Sequence, residues 1–154
     1  MKLAYRLAAA AVLIALPLPA VAGVIEGTMY KNPSCSCGET YAAYLEKNGF
    51  AIKIIPTNDL DQVAASAGVP DKLRGCHTIK IGNYIVEGFV PADQVKKMLV
   101  EHPTIVGLSM PGMPMDIPGM GFASMPGMTK QTYTIYAFTT DGQAPQVYGT
   151  YPSN

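Results

Sequence analysis

The sequence predicts an α/β domain, and three observations carry that expectation. Segments of strand length, rich in β-branched residues, alternate with segments of helical period. Gly and Pro fall at the junctions between them. The chain has 154 residues, 49% of them hydrophobic and 14% charged, which suits one packed domain and excludes a disordered or collagen-like chain.

Val24–Lys31 alternates as a strand, and Asn32-Pro33-Ser34 ends it in a turn. A helix follows over Gly38–Asn48, with Tyr41, Tyr44 and Leu45 on one face and Gly49 at its end. Ala51–Thr57 is the second strand. Asn58 or Asp59 then caps a short helix through Ala67, closed by Gly68-Val69-Pro70. Cys76–Ile81 and Tyr84–Val90 form a hairpin across Gly82-Asn83. Pro91 fits the first position of a helix reaching Glu101, with Val95, Met98 and Leu99 inward and Pro103 beyond its end. The resulting order, β-α-β-α-β-β-α, is that of a thioredoxin-like domain, with a cysteine pair where the first strand meets the first helix.

Residues 104–130 lose periodicity and become Gly, Pro and Met with small polar residues, so they are expected to form a long loop. Thr132–Thr140 alternates as a strand, Asp141-Gly142 turns, and Gln146–Tyr151 is its partner in a C-terminal β extension over 131–154.

Lys2 and Arg6 precede an apolar run from Leu7 to Leu18, and Ala20-Val21-Ala22 supplies the small residues that signal peptidase reads. Residues 1–22 are therefore expected to be a cleaved export signal and 23–154 a single mature domain, with an uncleaved anchor as the alternative. The apolar run falls short of the roughly 20 residues a bilayer span needs, and no later segment approaches that length, so no membrane span is expected in the mature protein. Lys+Arg and Asp+Glu are both 11, and loss of Lys2 and Arg6 leaves 9 basic groups against 11 acidic. That balance speaks against nucleic acid as a partner.

Cys35, Cys37 and Cys76 are the only cysteines. An odd number in an exported protein leaves at least one thiol free, metal-bound or paired between molecules. Cys35-Ser36-Cys37 lies just before the first helix, where unsatisfied backbone N–H groups and the helix dipole favour a thiolate. A disulfide closed across one residue would be strained, which favours metal capture over dithiol exchange. In a thioredoxin-like topology Cys76 opens a strand beside that helix N-terminus, so it can meet Cys35 and Cys37. Three thiolates, with His77 as a further candidate, form a site suited to Cu(I), with Zn(II) as geometric competitor. A structural bridge from Cys76 to Cys35 or Cys37 is the alternative. His77 has two readings, ligand or hydrogen-bonded core residue, and His102 reads as a cation at a helix end.

Six of nine methionines, Met110, Met113, Met115, Met120, Met125 and Met128, lie within nineteen residues. Thioethers are soft ligands that survive in an oxidising compartment. At least two are expected to bind metal while others pack, and Met113 and Met120 are the candidates. Gly-rich phosphate loops, nucleophile elbows and H-E-x-x-H helices are absent from the sequence, and Asp59, Asp61, Glu87 and Asp116 have no evident partners. Hydrolysis is therefore not expected.

Four separated stretches occur in a distinctive order: Tyr30-Lys31-Asn32-Pro33-Ser34-Cys35-Ser36-Cys37; Val69-Pro70 through Leu73-Arg74-Gly75-Cys76-His77-Thr78; Val86-Glu87-Gly88-Phe89-Val90-Pro91; and Gly107-Leu108 with Pro111-Gly112-Met113-Pro114. On these, over residues 24–140, the chain resembles the CopG-like periplasmic copper-resistance proteins, long catalogued as a domain of unknown function. The resemblance implies a thioredoxin-like fold, copper held by clustered cysteines and a role in interconverting Cu(I) and Cu(II) during detoxification. It carries over Cys35, Cys37 and Cys76. Members commonly have a further cysteine where this chain has Gly38 and a histidine where it has Phe89, so the site here is poorer in ligands than the family pattern.

The function expected from the sequence is thus a periplasmic copper-binding protein of copper resistance, with other periplasmic copper-handling or efflux proteins as partners and electron transfer as the catalysis its ligands would support. A thiol–disulfide oxidoreductase on the same fold and a passive copper chaperone are the alternatives.

Overall fold

A computed structural model of the chain describes residues 23–120 and 131–152. The expected export signal and the methionines at 125 and 128 lie outside the described residues. Strand β1 (Ile25–Lys31), helix α1 (Cys37–Lys47) and strand β2 (Phe50–Pro56) form a βαβ unit whose two strands are parallel, with Ile25 opposite Phe50 and Lys31 opposite Pro56. A parallel pair needs a crossover, and the helix supplies it. Gly49 takes φ +88°, which lets the chain reverse directly from α1 into β2.

Helix α2 (Leu60–Ser66) and a single 3-10 turn (Asp71–Leu73) lead to β3 (His77–Ile81), which lies antiparallel beside β1. The hairpin across Gly82 and Asn83 joins β3 to β4 (Tyr84–Gly88). Helix α3 (Ala92–Glu101) follows. The expected thioredoxin-like β-α-β-α-β-β-α arrangement is present.

The chain then departs from the sequence expectation. Residues 104–130 were expected as a loop, yet Gly107–Met110 forms strand β5, parallel to β4, with all four of its residues buried. A strand covered on both faces shows no alternation, so the periodic signal that exposes half-buried strands is missing. Strands β6 (Tyr133–Phe138) and β7 (Gln146–Tyr151) add antiparallel to β5, giving one seven-stranded sheet in the order β2-β1-β3-β4-β5-β6-β7. The C-terminal extension therefore continues the main sheet. Two boundaries also move: β4 ends at Gly88, whose φ is +71°, and Pro91 caps α3 from outside with ψ 142°.

The sheet buries both faces. On one, Tyr41, Ala42 and Leu45 of α1 and Val95 and Met98 of α3 pack on Met29, Ile79, Val86, Leu108 and Ile135. On the other, Ala64 of α2 packs with Val69, Leu73 and Phe138. The alternation of Ile85 and Val86 between the two clusters is the period-two pattern of the pleat. Among the described residues no helix is long and apolar enough to cross a membrane.

Gly107 is the tightest joint in this arrangement, because a Cβ there would overlap the carbonyl oxygen of Ile85 on the neighbouring strand. Gly107→Ala is expected to push β5 from β4 and lower stability by about 2–4 kcal/mol, read as a shifted urea midpoint. An unchanged midpoint would mean that this joint is not tight in solution.

Candidate metal centre

The two cysteine-bearing segments meet at one end of the sheet because β1 and β3 are paired there, with Lys31 opposite His77. Cys35 and Cys37 follow β1 into the first turn of α1, and Cys76 immediately precedes β3. The turn that carries Cys35 is built locally. Its N–H donates to the Asn32 carbonyl at 3.0 Å, while the Ser34 N–H and hydroxyl donate to Asn32 Oδ1. Ser36 occupies the cap position of α1 without a side-chain cap bond. The first helical N–H groups are therefore left for the thiols.

The three Sγ atoms lie within 4.8 Å of one another. Cys37 Sγ is 3.2 Å from Cys76 Sγ, longer than a disulfide bond of about 2.05 Å, and all three cysteines are free thiols of intermediate exposure. Their ionisation is unequal. Burial pushes the Cys35 thiol up, but hydrogen bonds from Cys37 and Cys76 and from the Gly38 and Cys37 N–H groups outweigh it and bring Cys35 below the ordinary thiol value. Burial pushes the Cys37 and Cys76 thiols up; Cys35 raises Cys37 further against the opposing hydrogen bond from Cys76, whereas both other sulfurs raise Cys76, which is shifted most. One sulfur thus carries the first negative charge.

His77 is fully buried beside this cluster. Its Nε2 is 3.0 Å from the Gly88 carbonyl oxygen, which can only accept, so Nε2 carries the proton. The Nδ1 lone pair is left facing Cys76 Sγ at 3.4 Å. Burial pushes the imidazole pKa down to about 4, which keeps the ring neutral. Tyr41 and Phe89 hold the ring between them, with centroids at 5.1 and 4.9 Å, and Tyr41 donates its hydroxyl hydrogen to the Val90 carbonyl. Phe89 is therefore a packing wall at the site, edge-on to His77. At Gly38 the space is filled by Lys31, since a Cβ would lie 3.1 Å from Lys31 Cδ.

The fold brings several further residues here that no motif in the sequence marks. Lys31, 1% exposed, passes under the start of α1 to the Glu39 carboxylate at 3.3 Å and the Pro33 carbonyl at 3.4 Å, tying both ends of the cysteine turn to the sheet. Glu87 has no partner readable in the chain order, yet it accepts hydrogen bonds from the Gly75 N–H at 2.6 Å and the Thr78 hydroxyl at 2.7 Å. Ser109 donates its hydroxyl hydrogen to the Leu73 carbonyl. A polar side chain in an otherwise apolar strand, such as Glu87 between Val86 and Gly88, was the available signal.

The described methionines divide by environment. Met110 and Met120 are 1% and 4% exposed and belong to the hydrophobic core, so packing accounts for both. Met113 is 67% exposed and Met115 39%. His102 ends α3 in the left-handed conformation, on the surface.

The inequality of the thiols has a measurable consequence. In the reduced protein Cys35 is expected to react first with iodoacetamide, with a pH midpoint lower than that of the other two thiols, because a lowered pKa keeps the thiolate populated as pH falls. Peptide mapping after partial alkylation at several pH values reads this, and preferential labelling of Cys76 would contradict it.

The family model "Protein of unknown function, DUF411" matches residues 73–120, the stretch from the 3-10 turn through Cys76 and Glu87 to Met120. No curated protein matches the chain. Two solved structures of the copper resistance protein CopG do: form 1 with 32% identity and a TM-score of 0.72 over 84% of this chain and 98% of that one, and form 2 with 31% identity and the same score over 83% and 98%. Sharing its fold and about a third of its residues with CopG over nearly all of that protein's length, the chain belongs to the CopG-like family of copper resistance proteins.

Proposed function

We propose that the protein is an exported copper-binding protein of copper resistance, taking Cu(I) as cargo on Cys35, Cys37 and Cys76. The observation that carries this is the convergence of three cysteine sulfurs, from segments 39 residues apart, in a chain whose solved relatives are copper resistance proteins. The donor set fits the ion. Three sulfurs around one ion at about 2.3 Å stand about 4 Å apart, inside the 3.2 to 4.8 Å spread found here. Soft, anionic sulfur selects Cu(I) over harder ions.

Bound copper would supply one-electron chemistry between Cu(I) and Cu(II). The chain's own groups handle protons and water. His77, locked by Gly88 with a neutral Nδ1 toward Cys76, is placed to accept a hydrogen bond from the Cys76 thiol or to serve as a further ligand. The Tyr41 and Phe89 rings exclude water from its rear. Met113 is open to act as an auxiliary thioether ligand, whereas Met120 reaches the ion only by leaving the core. Residues 1–22 direct the chain to the periplasm and are removed there, and copper-handling or efflux proteins are its partners.

A second reading has its own support. Cys37 and Cys76 are close enough that loss of two protons and two electrons to an oxidising partner would join them, as in a thiol–disulfide oxidoreductase. Metal analysis with a thiol count separates the two. Protein purified from copper-challenged cells is expected to hold copper with its thiols protected, and Cys35→Ser with Cys37→Ser to weaken Cu(I) binding more than about hundredfold. A metal-free protein with a stable disulfide that takes up no Cu(I) after reduction would sink the copper reading and promote the oxidoreductase.

A further inference from the structure

Cys35 and Cys37 are held by a helix N-terminus, but Cys76 lies in the connection between the 3-10 turn and β3. What holds Cys76 is a row of buried polar side chains on the sheet face opposite His77. Thr78 on β3, Glu87 on β4 and Ser109 on β5 are consecutive register partners across three strands, and they are 2%, 0% and 0% exposed. Each is satisfied. The Ser109 hydroxyl donates to the Leu73 carbonyl at 2.9 Å, and the two Glu87 oxygens accept from the Gly75 N–H and the Thr78 hydroxyl. The row therefore grips the chain at residues 73, 75 and 78, on both sides of Cys76.

Glu87 is the centre of the row, and the only member that holds the backbone residue immediately before the cysteine. On the opposite side of Cys76, the next residue of β4 holds His77 through the Gly88 carbonyl. Adjacent residues of one strand thus fix both neighbours of Cys76 from the two faces of the sheet. A carboxyl group in such a place is costly to bury, and burial raises its pKa to about 7 against the pull of Thr78, Gly75 and the nearby Arg74. Arg74 is itself turned to the Val69 carbonyl and Asp71. A costly buried group retained for packing alone has cheaper apolar substitutes.

We propose that Glu87 is a positioning residue that fixes Cys76 against Cys37 by clamping Gly75 and Thr78. Its effect on copper rests on the cysteine site proposed above, whereas its effect on Cys76 does not. Glu87→Gln keeps the shape, an acceptor for Gly75 and a donor for Thr78, while Glu87→Ala removes both contacts. In the reduced, metal-free full chain, Glu87→Ala is expected to raise the alkylation rate of Cys76 about tenfold and leave Cys35 unchanged, and Glu87→Gln to stay within about threefold of the original. Cu(I) affinity against a chromophoric chelator should fall about 10- to 100-fold in Glu87→Ala and recover in Glu87→Gln.

Should Glu87→Ala not fold, Thr78→Val removes one contact with little change of shape and is expected to give the same selective change at Cys76, smaller in size. A folded Glu87→Ala, or failing that Thr78→Val, with an unaltered Cys76 rate would overturn the proposal. So would a Glu87→Gln variant as impaired as the alanine, which would assign the effect to charge. If the original chain binds no Cu(I) while Cys76 responds as described, the copper reading fails and the positioning role stands.

Discussion

The site depends on the antiparallel register of β1 and β3, which sets Lys31 opposite His77. Both cysteine segments emerge from the paired ends of these two strands, so the register decides whether the sulfurs meet. It also decides which face each side chain takes, because a slip of one residue would turn every side chain of a strand over. His77 would then leave Tyr41 and Phe89 for the α2 face, and Thr78 would lose Glu87. The hydrophobic pattern enforces the register. Met29 and Ile79 are paired, both fully buried and on the same face of the sheet as Val86, under α1 and α3.

The apolar core fixes the frame, and the buried polar groups do the local aiming. Among the described residues the buried polar or charged residues are Lys31, His77, Thr78, Glu87 and Ser109, and all lie around the cysteine segments. Lys31 holds the turn with Cys35, His77 faces the sulfur of Cys76, and the other three grip the chain on either side of it. Burying such groups costs free energy unless each finds a partner. No buried side-chain nitrogen or oxygen among the described residues lacks one. Polar residues that could have been apolar are therefore concentrated where geometry matters more than stability.

This division explains what the sequence disclosed. Alternating residue types, helical faces and the turn residues between them are readable in the sequence, so β1 through α3 were legible, and the topology alone brought Cys76 toward Cys35 and Cys37. Strand β5 was not legible, because Gly-Leu-Ser-Met has no alternation when both faces are covered and its Gly107 serves a close strand approach. Met110 and Met120 stand beside Pro and Gly as loop ligands would, and only the fold reveals that they fill the core. Glu87 was read as a scattered carboxylate for a related reason. Its partners are a backbone N–H and a hydroxyl 12 and 9 residues away in sequence, which no spacing rule pairs. Lys31 was missed since a lysine at a strand end ordinarily reaches solvent, whereas here its stem is covered by Gly38 and the start of α1.

The unequal thiols show why such a cluster suits a cation better than a permanent charge. Once Cys35 holds the first charge, both burial and that charge oppose ionisation of Cys37 and Cys76. Three adjacent thiolates are thus inaccessible to the metal-free protein near neutral pH. A soft cation reverses the balance, because each further thiolate is then stabilised by the ion while its proton leaves. Neutral His77 turns its Nδ1 toward the most reluctant sulfur, at hydrogen-bond distance. The arrangement favours the first ionisation at Cys35 and resists the next two, so a soft cation on the proposed site would be what draws the remaining protons away.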